Sequence, residues 1–201
     1  MKILLSAYAC EPGKGSEPEV GWLWAIGLAD RGHDVWVITR ANNRSAIEAA
    51  LVKRPRPNLH FHYFDLAPAL LRLKRWMGTN VYYYLWQRRA KDLAAQLHSV
   101  VGFDLGHHVT FVVIRHPSFL EGLGVPYIFG PVSGGDNIPL PLLRKMPLRV
   151  RLAESFRLLV TRFMLQTPAV KRTLENAKRI VVTSEQTGQL LPKSLQQKVS
   201  V

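Results

Sequence analysis

Three short stretches of this 201-residue chain combine residue types suited to ligand chemistry. The first is Cys10-Glu11-Pro12-Gly13-Lys14-Gly15-Ser16-Glu17. Glycines let a backbone approach a phosphate closely, and a helix starting just after them offers free N–H groups. Gly13, Gly15 and Ser16 are therefore candidates for a phosphate-contacting loop. Two familiar motifs fail here. In G-x-G-x-x-G the third glycine is replaced by Pro18, which also weakens a nicotinamide oxidoreductase reading, and G-x-x-x-x-G-K-[ST] is absent. The competing reading is a flexible turn whose Pro18 starts a helix.

The second stretch is Phe103-Asp104-Leu105-Gly106-His107-His108-Val109-Thr110-Phe111, an apolar strand carrying two imidazoles. Strand alternation sends His107 and His108 to opposite faces, so they are poor joint ligands for one metal. At a strand's carboxyl end either ring can act in a cleft as hydrogen-bond donor or proton carrier. The alternative is two histidines satisfied by local backbone. The third stretch, Phe129-Gly130-Pro131-Val132-Ser133-Gly134-Gly135-Asp136-Asn137-Ile138-Pro139, is too glycine-rich for a helix and too polar for core. Gly134, Gly135, Asp136 and Asn137 form a candidate binding loop for ligand hydroxyls, with a purely structural loop as the alternative.

The elements that hold these stretches follow from apolar patterning. Strands are predicted at Lys2–Ala7, Val35–Thr39, Leu59–Phe64, Asp104–Thr110, Tyr127–Phe129 and Arg179–Thr183, with another at Lys198–Val201 where the sequence stops abruptly. Between them, Val20, Leu23, Trp24, Gly27 and Leu28 mark one helical face. Ser45–Lys53 and the stripe Trp86, Ala90, Leu93 and Leu97 predict two more helices, and Thr183-Ser184-Glu185 caps a fourth at Gln186–Leu191. Alternating strands and helices imply a parallel sheet covered on both faces, a Rossmann-like, doubly wound α/β domain.

Composition excludes a collagen, a disulfide scaffold and a low-complexity chain. No uncharged apolar run approaches the ~20 residues that span a bilayer. The lone Cys10 fits a reducing compartment, the cytoplasm. Met1–Cys10 superficially resembles a lipoprotein signal, but its short apolar stretch reads better as a first buried strand.

The net charge of +13 asks for an anionic partner. Residues 69–91 hold Arg72, Lys74, Arg75, Arg88, Arg89 and Lys91 without an acid, mixed with Trp76, Tyr82, Tyr83, Tyr84 and Trp86. Residues 142–162 hold Arg144, Lys145, Arg149, Arg151, Arg157 and Arg162 against Glu154 alone, so the two segments supply eleven of the thirteen net charges. Cations among Trp, Tyr and Leu suit an anionic membrane surface, with Arg72, Lys74, Arg75, Trp76, Arg88, Arg89, Arg144, Lys145, Arg149 and Arg151 as its contacts. Two solvated helix faces over buried aromatics are the plainer alternative. Nucleic acid is the weaker partner, since no homeodomain, zinc-finger, RRM or KH signature is present.

The runs Ser6-Ala7-Tyr8-Ala9-Cys10-Glu11-Pro12, Gly15-Ser16-Glu17-Pro18-Glu19-Val20-Gly21-Trp22 and Arg31-Gly32-His33-Asp34-Val35 resemble the opening of family 4 glycosyltransferases of the GT-B fold. The turn at Gly130-Pro131 and Gly134-Gly135-Asp136 resembles a G-P-x-x-G-G-acid turn of the same enzymes. The resemblance implies a retaining transfer from a nucleotide-diphosphate sugar to a glycan or lipid-linked acceptor, with no obligatory metal or further cofactor. Residues 1–201 would then be the amino-terminal acceptor-side domain. The carboxyl-terminal donor-binding domain, with its paired glutamates, would be a partner absent from this chain, and the isolated domain would be inactive. The family's glycine pair at Gly15-Ser16 approaches the donor diphosphate, and here the second residue is serine. The family's H-x-H places its first histidine at His107 and its second at Val109, with His108 adjacent. The related enzymes also bind membrane surfaces, which implies a protein peripheral on the inner face of the membrane. The rival class is a non-catalytic basic module for anionic membrane or nucleic acid.

Overall fold

The structure, a computed structural model, describes residues 1–71, 76 and 78–201. In chain order the elements are β1 (Lys2–Ser6), α1 (Ser16–Asp30), β2 (Asp34–Thr39), α2 (Arg44–Lys53), β3 (Leu59–Tyr63), α3 (Pro68–Val101), β4 (Leu105–His108) and β5 (Tyr127–Val132). After them come α4 (Leu140–Lys145), α5 (Leu148–Leu165), α6 (Pro168–Asn176), β6 (Arg179–Val182), α7 (Glu185–Gln189) and β7 (Val199–Ser200). The seven strands form one parallel sheet in the order β3-β2-β1-β4-β5-β6-β7. This is the Rossmann-like arrangement that the alternation of elements predicts.

Period-two alternation divides the central strands between two layers. Leu4 and Ile38 enter a core with Tyr82, Trp86 and Ala90 of α3. Their neighbours Leu5 and Val37 enter a second core with Trp22 and Ala25 of α1 and Ile47 of α2. Strands buried on both faces read as continuous apolar runs, which is why β1 is legible as Ile3-Leu4-Leu5. Truncating a leucine in either layer costs about 2–5 kcal/mol. α1 lies close against the loop leaving β1: a Cβ on Gly21 would sit 2.2 Å from the Ala9 carbonyl oxygen, so this approach requires glycine.

Three elements differ from expectation. α3 begins well before the Trp86–Leu97 stripe, and Gly78, at φ 78° and ψ 161°, breaks its helical geometry. β5 runs through Gly130-Pro131 to Val132 instead of ending at Phe129, with a register shift against β6 between Phe129 and Val132. A glycine-proline pair reads as a stop, and the shifted register is what lets the ladder resume beyond it. β4 is shorter than Asp104–Thr110, because after His108 the chain leaves its neighbours and Phe111 adopts a positive φ of 61°.

Candidate functional site

The strand order reverses between β1 and β4, where ligands of open α/β sheets bind beyond the strand ends. A shallow groove of about 520 Å³ lies there. Gly15, Ser16 and Glu17 form one wall, and Val112, Ser133 and Thr183 help form the other. The two sequence-predicted glycine turns both reach this opening, through Gly15-Ser16 and through Ser133, whereas Gly13, Gly134, Gly135, Asp136 and Asn137 do not line it.

The first turn has left-handed backbone at Gly13 (φ 72°), Gly15 (φ 70°) and Ser16 (φ 51°). Gly15 caps α1 without any side-chain bond, so the first N–H groups of the helix have no side-chain acceptor from the cap. Glu17 accepts a hydrogen bond from the Phe111 backbone N–H, which clips the chain after β4 to the first turn of α1. Burial pushes the Glu17 carboxyl above its ordinary range, against the pull of that bond. Glu19 also lines the groove, and one of its carboxylate oxygens is buried without a hydrogen-bond partner among the described residues. Among the described residues the groove wall carries these two acids and no cation. An anion seated there would rely on backbone N–H groups.

The second turn is held from beneath by groups that sequence reasoning did not assign to it. Arg157 of α5 donates to the carbonyls of Gly134 at 3.0 Å and Asp136 at 2.6 Å. Its guanidinium also pairs with Glu154 at 2.7 Å, and that bond holds the Glu154 carboxyl below its usual range. The Ser184 hydroxyl donates to the Asp136 carboxylate at 2.6 Å, and the Asn137 backbone N–H donates to the Gln186 side chain at 2.9 Å. Gly135 packs on the start of α7, where a Cβ would meet Thr187 Cα at 2.4 Å. Arg115 adds a second guanidinium, 3.7 Å from where a Gly134 Cβ would stand. The only legible sign of these supports was the Thr183-Ser184-Glu185 cap. Arg157, one of the cations of the basic segment 142–162, turns toward this loop.

The histidines stand as alternation requires, on opposite faces, but neither reaches the groove. His107 is 2 % and His108 1 % exposed. This corrects the expectation that one of them lines a cleft: strands β1 and β5 flank both rings, and helices cover each face. His107 Nε2 donates to the Gly130 carbonyl at 2.8 Å and its ring meets Trp24 of α1 edge-on. A carbonyl only accepts, so Nε2 carries the proton. His108 Nε2 faces the Tyr83 hydroxyl at 2.7 Å and the Gln87 amide at 3.0 Å, both on α3. Burial pushes both imidazoles down, to about 4 for His107 and about 3 for His108.

The basic segments resolve into two surfaces. Arg72, Lys74 and Arg75 lie outside the described residues. Trp76 is exposed, as are Arg88 and Arg89. Arg144 and Lys145 of α4 and Arg149 and Arg151 of α5 are exposed as well. Beside them α5 presents Leu148, Leu152, Phe156, Leu159 and Phe163, each 61–70 % exposed. At roughly 100° per residue these five fall within about 80° of the helix circumference. They form an apolar stripe flanked by Arg149 on one side and Arg151 and Arg162 on the other.

Among the described residues, no helix is long and apolar enough to cross a membrane, and no group of three His, Cys, Asp or Glu side chains is placed to hold a metal ion. No protein-family model matches the chain, and no curated protein sequence matches it.

Proposed function

We propose that this chain is the acceptor-side domain of a retaining glycosyltransferase built from two facing Rossmann-like domains. The observation that carries the reading is that the two turns each send residues, Gly15-Ser16 and Ser133, into one groove at the sheet's switch point. Both turns also carry the sequence resemblance. In this reading the exposed side chains of Asp136 and Asn137, on the loop that follows Ser133, offer a carboxylate and an amide to acceptor hydroxyls, while Gly134 and the buried Gly135 shape that loop. The Gly13–Ser16 backbone stands at the edge of the donor diphosphate of a nucleotide-sugar. A second domain supplies most of the donor site and the basic side chains that neutralise the leaving diphosphate.

The test is a transfer assay with labelled nucleotide-sugars and a panel of glycan and lipid-linked acceptors. Residues 1–201 alone are expected to bind an acceptor saturably and to transfer no sugar. Sugar transfer by these residues alone overturns the half-enzyme reading, and the absence of acceptor binding overturns the acceptor-side reading.

The α5 stripe favours a second role, reversible docking on an anionic membrane. Each arginine near such a surface contributes about 1 kcal/mol, and the leucines and phenylalanines add burial in the interface. Salt-sensitive binding to anionic vesicles but not to neutral vesicles or duplex oligonucleotides is the expected result. It would support membrane docking in either the enzyme or the binding-module reading.

A further inference from the structure

A cavity of about 850 Å³ opens between α3, the short 3₁₀ turn Phe119–Leu123 and α6, lined by neither glycine turn. Its lining divides into two chemistries. Arg88, Arg89 and Lys91 of α3 and Arg172 of α6 supply four cations. Tyr84 and Phe119 meet edge to face with centroids 5.5 Å apart, and leucines of α3 and the chain before it complete an apolar side. The spacing of Tyr84, Arg88 and Lys91 puts them on one face of α3, which is how a helix can offer an aromatic ring and two cations to one opening.

The cations are poorly satisfied by the protein. Arg40, Arg56 and Arg157 elsewhere each donate from Nε to a carboxylate at 2.7–2.9 Å. Around the cavity the nearest pairs are Arg89 with Asp92 at 3.9 Å and Arg172 with Glu121 at 3.8 Å, both beyond hydrogen-bonding range. Among the described residues none of the four cationic side chains makes a hydrogen bond. Two acids against four cations leave a positive excess. The Lys91 side chain lies over Gly122, where a Cβ would stand 2.7 Å from its Nζ, so the absence of a side chain at Gly122 makes room for the ammonium.

We propose that this cavity binds an amphiphilic phosphate, its head held by Arg88, Lys91 and Arg172 and its apolar tail against Tyr84 and Phe119. A bare phosphate would use only the cationic half, and a neutral lipid only the other. Isoprenoid diphosphates and short-chain phosphatidic acid share the required chemistry. The proposal stands apart from the transferase reading, because neither glycine turn lines the cavity.

Calorimetric titration of the whole chain with geranyl diphosphate, dihexanoyl phosphatidic acid, pyrophosphate and geraniol tests it. Saturable binding of at least one of the two amphiphiles is expected, with pyrophosphate at least tenfold weaker and geraniol undetectable; the preferred amphiphile identifies the source. The exposed pair Arg88→Gln and Arg172→Gln is expected to weaken that binding tenfold or more, and Tyr84→Ser several-fold, with unchanged thermal melting. Phe156→Asp on α5 is expected to leave it unchanged, which separates this site from membrane docking. No saturable binding, pyrophosphate binding as tightly as the amphiphiles, or affinity indifferent to the arginine pair overturns the proposal.

Discussion

The Tyr83 hydroxyl lies 2.7 Å from His108 Nε2, with both side chains buried and the Gln87 amide nitrogen 3.0 Å from each. One nitrogen of this buried imidazole, Nε2, is thus satisfied from α3, the element across the layer, while Nδ1 has no hydrogen-bond partner among the described residues. Tyr83→Phe removes one donor and leaves His108 with the amide alone. The expected cost is about 1–3 kcal/mol in denaturant unfolding, with groove affinity unchanged. Lost affinity at unchanged stability would make His108 a functional residue.

Both strand histidines also set a pH dependence. An unfolded imidazole protonates near pH 6.5, whereas burial delays His107 to about 4 and His108 to about 3. Between those values the unfolded chain binds more protons, so stability falls as pH drops from about 6.5 toward 4. The loss is on the order of 3 kcal/mol for each ring by pH 4. Urea midpoints at pH 7.5 and 4.5 measure it, and His107→Gln is expected to reduce the difference. A flat profile would mean that the rings protonate in the folded state.

Ser16 holds a φ of 51° in the wall of the groove, a conformation that disfavours any residue with a Cβ. Ser16→Gly is expected to stabilise the chain by about 1 kcal/mol and Ser16→Val to destabilise it by at least as much. Thermal melting of the two variants checks the order.

Arg157 is the strut beneath the second turn. Arg157→Met leaves the Gly134 and Asp136 carbonyls without their donors and Glu154 without its cation, at an expected cost of about 1–3 kcal/mol. Amide hydrogen exchange at 134–137 should rise more than exchange in β1. Uniform acceleration would mean that Arg157 supports the whole fold and not the turn.

The exposed positions Leu152 and Phe156 face away from both cores. Leu152→Asp with Phe156→Asp is expected to lower anionic-vesicle binding at least tenfold in a sedimentation assay and to shift folding stability by no more than about 0.5 kcal/mol per site. Vesicle binding unaffected by the pair would remove α5 from the membrane reading.

The sheet was legible because its central strand is buried on both faces, so that Ile3-Leu4-Leu5 reads as a continuous apolar run, and because Ile180-Val181-Val182 gives β6 a β-branched apolar run of its own. The opposite facing of His107 and His108 followed from alternation alone. Their burial did not, because it depends on Trp24 and Tyr83 arriving from distant parts of the chain. Gly134 and Gly135 could be singled out by composition, yet Arg157 and Thr187, which hold them, carry no local sign of that duty. The stripe on α5 was legible only in part. Cations among leucines mark residues 142–162 as a candidate surface segment, but only the three-dimensional arrangement shows which of its apolar residues share one uncovered face.

That uncovered stripe fixes how the protein should behave in a test tube as salt is raised. At low ionic strength the flanking arginines keep two copies apart, while, in the membrane-docking proposal, the same charges draw the helix toward an acidic surface. With screening lengths near 8 Å at physiological salt and shorter above it, the repulsion fades before the apolar attraction does. Salting the solution with sulfate should therefore release the protein from vesicles and at the same time make it self-associate. Purification and storage would then be best in dilute buffer.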